Sequence, residues 1–134
     1  MPEPWWTRHQ SALLKQKNTL PDRTLRKVLD GSPRWQDLEL ILAECEELGA
    51  SPLVLVVPFN GPYSDYCGNS AAVCRTCYYD RLRVLARQHR VPLVSFEDHE
   101  YDPAFFEDLW EHPSALGWTY YDRALDAFFH DTLP

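Results

Sequence analysis

Two short apolar runs, residues 53–57 and 91–96, constrain the fold more than any other feature of this 134-residue sequence. The first run, Leu-Val-Leu-Val-Val, is continuous and lies between turn-forming residues, which is typical of a strand buried on both faces. Between the runs, apolar residues of segment 72–89 recur at helical spacing. Such a strand–helix–strand unit normally forms a right-handed crossover between parallel strands. Both strands therefore end at one edge of the sheet, near Asn60 and Glu97, where ligands of open parallel sheets bind.

Other segments also have helical patterns. One begins at the N-cap Ser32 and ends at Gly49, and another runs from Ser114, also a predicted cap, to about residue 129. Shorter pieces are predicted at 5–14 and 24–29. The sequence thus predicts an α/β fold with a parallel sheet flanked by helices. Two strands are too few for a stable sheet of this kind, so we expect an incomplete, carboxyl-terminal portion of a longer protein. A strand hidden in the amino-terminal region, or a homodimer that pairs two exposed sheet edges, would also complete the sheet.

Charge is distributed unevenly along the chain. The net charge is -7, but residues 1–35 are basic and residues 97–134 are strongly acidic. An acidic surface repels phosphate backbones, so the sequence argues against nucleic acid as a partner. No run is long and apolar enough to span a membrane, and the first eight residues lack the pattern of a secretion signal. The basic stretch could face an anionic lipid surface or an acidic partner, or pair with the acidic end of the same chain.

Three of the four cysteines lie close together in the sequence. Cys74 and Cys77 form a C-x-x-C pair, and Cys67 precedes them by seven residues. A zinc site would need a fourth ligand at a standard spacing, which is lacking, so we predict no metal. A disulfide from Cys67 to either of the others and three buried thiols both remain open. Cys45 is predicted to pack on the core face of its helix.

The segment that opens the final helix contains a candidate acid–base group. His112 is followed by Pro113, and Asp108 lies one helical turn earlier. A histidine in this position could deprotonate a serine hydroxyl, while the carboxylate would orient the imidazole and stabilise the imidazolium. Asp108 is the first candidate for that carboxylate and Glu111 the second. A structural histidine that caps a helix would need only a hydroxyl or carbonyl partner.

Two further features could belong to a site at the strand ends. Asn60 follows the first strand and could donate to an oxyanion or a substrate carbonyl, although an Asn-Gly pair is also typical of a tight turn. The aromatic residues near the histidine could line a groove for an acyl group, or simply pack a long loop; they are Tyr101, Phe105, Phe106 and Trp110.

A series of landmarks resembles the carboxyl-terminal region of the DltD family of D-alanyl transfer proteins. The landmarks occur in the same order and spacing: the string Ser32-Pro33-Arg34-Trp35-Gln36-Asp37-Leu38, the turn Pro58-Phe59-Asn60-Gly61, the pair Tyr78-Tyr79, His112, the pair Gly117-Trp118, and Asp122. The resemblance covers residues 32 to about 130. It implies a carboxyl-terminal domain at 32–134 that follows an amino-terminal helical or irregular segment at 1–31. It also implies an α/β fold of the SGNH-hydrolase or flavodoxin-like kind.

The resemblance carries functional expectations as well. It implies serine esterase or thioesterase chemistry, without a cofactor, in the D-alanylation of teichoic acids at the outer face of the membrane. The predicted catalytic residues are His112 and Asp108, and the predicted substrate-binding residues are Asn60, Trp110 and Trp118. The implied partner is an acyl carrier protein or another acylated intermediate, and the parent protein is expected to be extracytoplasmic and associated with the membrane.

Two departures from the family pattern leave open whether this chain is an enzyme. The family's aspartate lies three residues before the histidine, where this sequence has Leu109, and Asp108 lies four before it. The family's nucleophilic serine lies in a Gly-Asp-Ser turn, and no such string occurs in the 134 residues. Without a nucleophile the histidine has nothing to activate. The alternative function is a noncatalytic module that docks a carrier protein or a membrane partner.

Overall fold

The computed structural model describes residue 11, residues 14–108 and residues 112–133. The elements in chain order are helices α1 (Asp22–Asp30) and α2 (Arg34–Glu47), strand β1 (Val54–Val56), helix α3 (Gly61–Cys67), helical segment α4, strand β2 (Leu93–Ser95), a 3-10 turn (Glu97–His99) and helix α5 (Ala115–Phe129). Segment α4 has three consecutive parts: an α-helical turn Ala71–Cys74, a π-helical turn Arg75–Tyr79 and an α-helix Asp80–Gln88. Most of the helix predicted at 5–14 lies outside the described residues.

The predicted strand–helix–strand unit is confirmed. Strands β1 and β2 pair in parallel, with Val54 opposite Leu93 and Val56 opposite Ser95, and segment α4 connects them. Both strands are shorter than predicted by one to two residues at each end. Because the sheet has two strands in the described part of the chain, each strand has one unpaired edge. The α/β class follows directly from this arrangement.

Helices cover both faces of the sheet. Successive strand residues point to opposite faces, so Val54 and Val56 join one hydrophobic cluster while Leu55 joins the other. The first cluster also contains side chains from α1, α2 and α4: Leu25, Trp35, Val73, Cys74, Cys77, Tyr79, Leu82 and Leu85. The second cluster is built from α5 and the long loop before it, through Phe96, Phe105, Phe106, Tyr121 and Ala124.

Residues before position 32 pack against the rest of the chain. Leu25 of α1 is buried in the first cluster, and both carboxylate oxygens of Asp22 accept hydrogen bonds from Ser70, at 2.6 and 2.8 Å. The backbone N–H of Leu20 donates to the carbonyl of Cys67 at 2.9 Å. The proposed division of the chain after residue 31 stays a prediction.

The buried face of α5 differs in part from the predicted one. The spacing predicts burial of Leu116, Tyr120, Ala124, Leu125 and Phe128. Ala124 is buried and Tyr120 and Phe128 are half-buried, but Leu116 and Leu125 are 46% and 48% exposed. The helix also buries Gly117 and Tyr121. The prediction for the two leucines was wrong because Gly117 lets the helix approach the loop closely: a Cβ there would lie 2.4 Å from the carbonyl oxygen of Phe105. The closest helix surface is therefore the one that carries the glycine.

Helix α2 also buries less than its pattern predicts. Trp35 and Leu42 are buried, and the indole N–H of Trp35 donates to the carbonyl of Leu29 at 2.6 Å. Ile41 and Leu48 belong to the apolar positions that recur at helical spacing in this segment, but they are 59% and 74% exposed. Part of the apolar surface of α2 therefore faces solvent.

Helix α3 lies in segment 58–69, which is rich in Gly, Pro, Asn and Ser and is therefore predicted from the sequence to be a loop. Its start is stabilised by the Asn60 side chain, which accepts from the N–H of Tyr63 at 3.2 Å, and by Pro62 in its first turn. It ends at Gly68, whose φ of 96° is the left-handed conformation that favours glycine. The residues that suggest a turn are thus the caps of a short helix. In the part of the chain that the structure describes, no helix is long and apolar enough to cross a membrane.

Candidate active site

The loop that carries His112 is fixed on both sides by backbone hydrogen bonds. The N–H of Glu107 donates to the carbonyl of His112 at 2.9 Å, and the N–H of Ser114 donates to the carbonyl of Phe105 at 2.8 Å. Ser114 caps α5, since its hydroxyl accepts from the N–H of Gly117 at 3.1 Å. The predicted N-cap is confirmed, and His112 lies two residues before it.

The structure brings His112 and Asp108 together. The Nδ1 atom of His112 lies 2.6 Å from Oδ2 of Asp108, the geometry of a charge-assisted hydrogen bond. The imidazole side chain is 71% exposed, whereas the Asp108 side chain is 25% exposed. With Nδ1 bound to a carboxylate, Nε2 is the ring nitrogen that can exchange a proton with a substrate group.

Asn60 connects this pair to the end of strand β1. Its Nδ2 donates to the backbone carbonyl of Asp108 at 3.3 Å, while its Oδ1 caps α3. Asn60 is only 2% exposed. The structure therefore places Asn60 behind Asp108, as a support of the loop, and its predicted direct contact with a substrate stays a prediction.

A cleft of about 480 Å³ opens beside the imidazole. It is lined by His112, by Val57 and Phe59 just after β1, and by Leu29 and Tyr78. His112 thus lies at the rim where strand β1 ends, as the sequence predicts. An adjoining apolar cavity of about 320 Å³ shares Leu29 and Tyr78 and extends along α2. The cleft is mainly apolar, apart from the imidazole and a tyrosine.

Of the two predicted tryptophans, Trp118 does not line this cleft. Trp118 lies on α5, is 55% exposed, and has its ring centroid 5.3 Å from that of Tyr121. Trp110 lies outside the described residues, as does Glu111, the second candidate for the orienting carboxylate. Their assignments stay predictions.

Sequence reasoning missed Phe59 and Tyr78 as lining residues. Their ring centroids lie 5.0 Å apart in an edge-to-face arrangement, which shapes one wall of the cleft. Phe59 belongs to the turn after β1, so its position at the rim could have been inferred from the strand. The position of Tyr78 depends on the π-helical turn in α4, for which the sequence has no clear signal.

The cysteines are free thiols. Cys67, Cys74 and Cys77 are buried and Cys45 is half-buried. Burial raises the pKa of the Cys74 thiol to about 12, and burial also raises the pKa of Cys67. A protonated, buried thiol is a poor nucleophile. Within the described ranges, no group of three or more His, Cys, Asp or Glu side chains could hold a metal ion.

Comparison with known proteins agrees with the landmarks in the sequence. The family model for DltD protein matches residues 2–130. Over 98 residues, which are 73% of this chain and 24% of the relative, the sequence is 36% identical to Protein DltD of Bacillus subtilis (strain 168). The chain therefore spans about a quarter of the length of that curated relative. Since the family match runs through nearly all of the sequence, this chain belongs to the DltD family.

Proposed function

We propose that this chain provides the acid–base pair His112–Asp108 for a DltD-type acyl transfer, the D-alanylation of teichoic acids. The observation that carries the proposal is the 2.6 Å contact between His112 and Asp108 at the mouth of a cleft that begins at the end of β1. The pair tolerates the departure from the family spacing, because a separation of four residues still allows the carboxylate to reach the ring.

In this proposal the nucleophile is a serine hydroxyl from another segment of polypeptide, since the sequence has no Gly-Asp-Ser string. Nε2 of His112 takes the proton of that hydroxyl as its oxygen attacks the D-alanyl carbonyl of the donor. The imidazolium then protonates the leaving group of the donor, which leaves D-alanine as an ester on the serine. Asp108 remains ionised throughout and stabilises the imidazolium.

The second half of the reaction reverses these proton movements. A hydroxyl of the teichoic acid gives its proton to Nε2 while its oxygen attacks the ester carbonyl. The serine oxygen departs and recovers the proton from His112. The donor in this proposal is an acylated carrier protein or another acylated intermediate, and the reaction takes place at the outer face of the membrane.

The second candidate function is a noncatalytic docking module. Two observations favour it: the chain has no Gly-Asp-Ser string, and residues 97–134 are strongly acidic, which would suit a basic partner surface. Under this function His112 would be a structural residue of the loop, and its imidazole would be dispensable.

The two candidates can be separated by replacing His112 in the gene of the native host and measuring alkali-labile D-alanine in the teichoic acids. His130 is a matched control, because it also pairs with an aspartate four residues earlier, Asp126, at 3.6 Å. We expect His112→Gln to remove most of the ester-bound D-alanine and His130→Gln to leave it unchanged.

Normal D-alanine content in His112→Gln cells would reject the catalytic role. If charge reversal at Asp122 and Asp126 then lowered the ester content, the docking function would be favoured. Both aspartates lie on exposed positions of α5, so their reversal should not unfold the chain.

A further inference from the structure

We infer that Tyr79 and Glu100, two residues of the core, are positioning residues for the His112–Asp108 pair. The inference rests on the proposed role of His112, but the evidence for it is a continuous series of hydrogen bonds. That series runs from the buried interior, through the turn after β1, to the loop that carries Asp108.

Tyr79 and Glu100 bind the turn after β1 from the side of the buried core. The hydroxyl of Tyr79 donates to Oε1 of Glu100 at 2.5 Å and accepts from the backbone N–H of Phe59 at 2.8 Å. The backbone carbonyl of Glu100 accepts from the N–H of Gly61 at 2.8 Å. Both ends of the turn 59–61 are therefore bound to one buried pair.

Asn60, in the middle of this turn, connects the turn to the loop that carries Asp108. Its main chain is fixed between two bound N–H groups, and its Nδ2 donates to the carbonyl of Asp108 at 3.3 Å. Asp108 in turn holds Nδ1 of His112. A displacement of the turn would move the carbonyl contact of Asp108 and weaken the orientation of the imidazole, since hydrogen bonds depend steeply on geometry.

The buried pair Tyr79–Glu100 is more polar than packing of the core alone requires. Tyr79 is 1% exposed and Glu100 is 7% exposed. Burial raises the pKa of both groups, because ionisation is disfavoured away from water. A phenylalanine and an apolar residue could fill this space without that cost, so the hydroxyl and the carboxyl are explained better by the geometry they impose on the turn.

The π-helical turn allows one helix to serve both the cleft and the turn. In an α-helix, consecutive side chains diverge by about 100°. Here Tyr78 and Tyr79 both approach Phe59, with ring centroids at 5.0 and 5.8 Å. Tyr78 lines the cleft, while Tyr79 extends beneath the backbone of the turn. π-turns are frequent at functional sites, in keeping with this arrangement.

The test measures the tautomer of the neutral His112 ring in this chain, by long-range proton–nitrogen NMR correlation, in Tyr79→Phe and in Tyr121→Phe. The hydrogen bond to Asp108 favours the Nδ1–H tautomer, whose dominance reports on the geometry of the pair. Tyr121 is the matched control: it is also buried, and its hydroxyl has no hydrogen-bond partner among the described residues. We expect at least a threefold fall in the ratio of Nδ1–H to Nε2–H in Tyr79→Phe only.

Conservative replacements at Glu100 separate positioning from bulk stability. Glu100→Gln keeps an acceptor for the Tyr79 hydroxyl and should leave the tautomer ratio of His112 unchanged. Glu100→Leu removes the acceptor and should lower the ratio. Asn60→Ser keeps an oxygen that can cap α3, but the hydroxyl lies one bond closer to the main chain than Nδ2 and is too short to reach the carbonyl of Asp108. This variant should therefore reproduce the loss even if Tyr79→Phe does not fold.

An unchanged ratio in folded Tyr79→Phe or in Asn60→Ser would overturn the inference. The outcome is independent of the proposed function, because the tautomer is read without any acyl substrate. If the ratio falls as expected while His112→Gln cells keep their D-alanine esters, the positioning stands and the catalytic role is lost.

Discussion

Gly117 of helix α5 packs directly against the backbone of Phe105, so closely that a Cβ at position 117 would lie 2.4 Å from the carbonyl oxygen of Phe105. The same carbonyl accepts the N–H of Ser114, the cap of the helix. The closeness of α5 to its preceding loop therefore fixes the segment from which His112 projects.

Gly117→Ala should destabilise the protein although alanine is the better helix former. The gain in helix propensity is about 1 kcal/mol, but the clash involves backbone that cannot move freely, and overpacking of this kind costs about 1–3 kcal/mol. We expect a lower midpoint in urea unfolding followed by circular dichroism. Asp122→Ala, at an exposed position on the same helix, is the control and should change little. A midpoint for Gly117→Ala equal to or above that of the wild type would contradict the packing argument.

Asp108→Asn should reduce D-alanine ester formation nearly as strongly as His112→Gln. An amide at position 108 can offer its N–H to Nδ1 and so favour the wrong tautomer, a change that lowers turnover by about 10⁴ in a serine–histidine–aspartate triad. The measurement is the rate at which labelled D-alanine enters teichoic acid. Asp126→Asn, in the similar pair with His130, should have no effect. Equal rates of D-alanine incorporation in Asp108→Asn and Asp126→Asn would show that Asp108 takes no part in the reaction.

Stability should depend on pH through Glu100. Burial raises the pKa of this carboxyl above 4.5, so the folded state holds the proton more tightly than the unfolded state. The stabilising contribution is therefore complete below the unfolded pKa and is lost as the pH rises through the folded value. The hydrogen bond from Tyr79 and the charge of Arg75 lower this pKa and so oppose the effect of burial. The charges of Glu97 and Asp65 raise the pKa further.

Glu100→Gln removes this dependence, because an amide does not titrate. Relative to the wild type, the variant should gain stability between pH 4 and pH 8, as measured by thermal unfolding at the two pH values. If the unfolding temperatures of the variant and the wild type differed by the same amount at both pH values, the pKa of Glu100 would be the same in the folded and unfolded states.

The buried cysteines should resist alkylation in the folded protein. With a pKa of about 12, the Cys74 thiol is almost entirely protonated at pH 8, and it is 1% exposed. We expect iodoacetamide to modify the half-buried Cys45 first and Cys74 at least about a hundredfold more slowly. Peptide mass spectrometry after timed quenching gives the rates, and denatured protein gives the unprotected reference. Modification of Cys74 as early as Cys45 would contradict its burial.

The elements that the sequence predicts are those set by local pattern. The strand pair and segment α4 follow from apolar runs and helical spacing, and the His112–Asp108 pair follows from a separation of four residues. Ser114 is predictable as a cap because it precedes an apolar helical pattern. The strands β1 and β2 are distant in the sequence, but the crossover rule for a strand–helix–strand unit relates them. The other interacting residues are close in the sequence, so their relationship is visible without the fold.

The elements that escape prediction depend on contacts between distant segments. Tyr79 and Glu100 are 21 residues apart, and no spacing rule relates them. The buried face of α5 is decided by the approach of residue 117 to residue 105, which overrides the pattern of larger apolar side chains. Helix α3 is short, and the residues that cap it are also typical turn formers, so its existence depends on how the preceding turn is held.

The π-helical turn at Arg75–Tyr79 has a consequence for protein engineering. A π-turn contains one more residue than the α-helical turn that it replaces, so it accommodates that residue while the helix on either side keeps its phase. Val73 and Leu82 face the same cluster, although at about 100° per residue a regular α-helix would place them on opposite faces. A substitution that converted the π-turn to regular α-helix without removing a residue would therefore separate the aromatic wall of the cleft from the core beneath it, whereas deletion of one residue there would keep both in place.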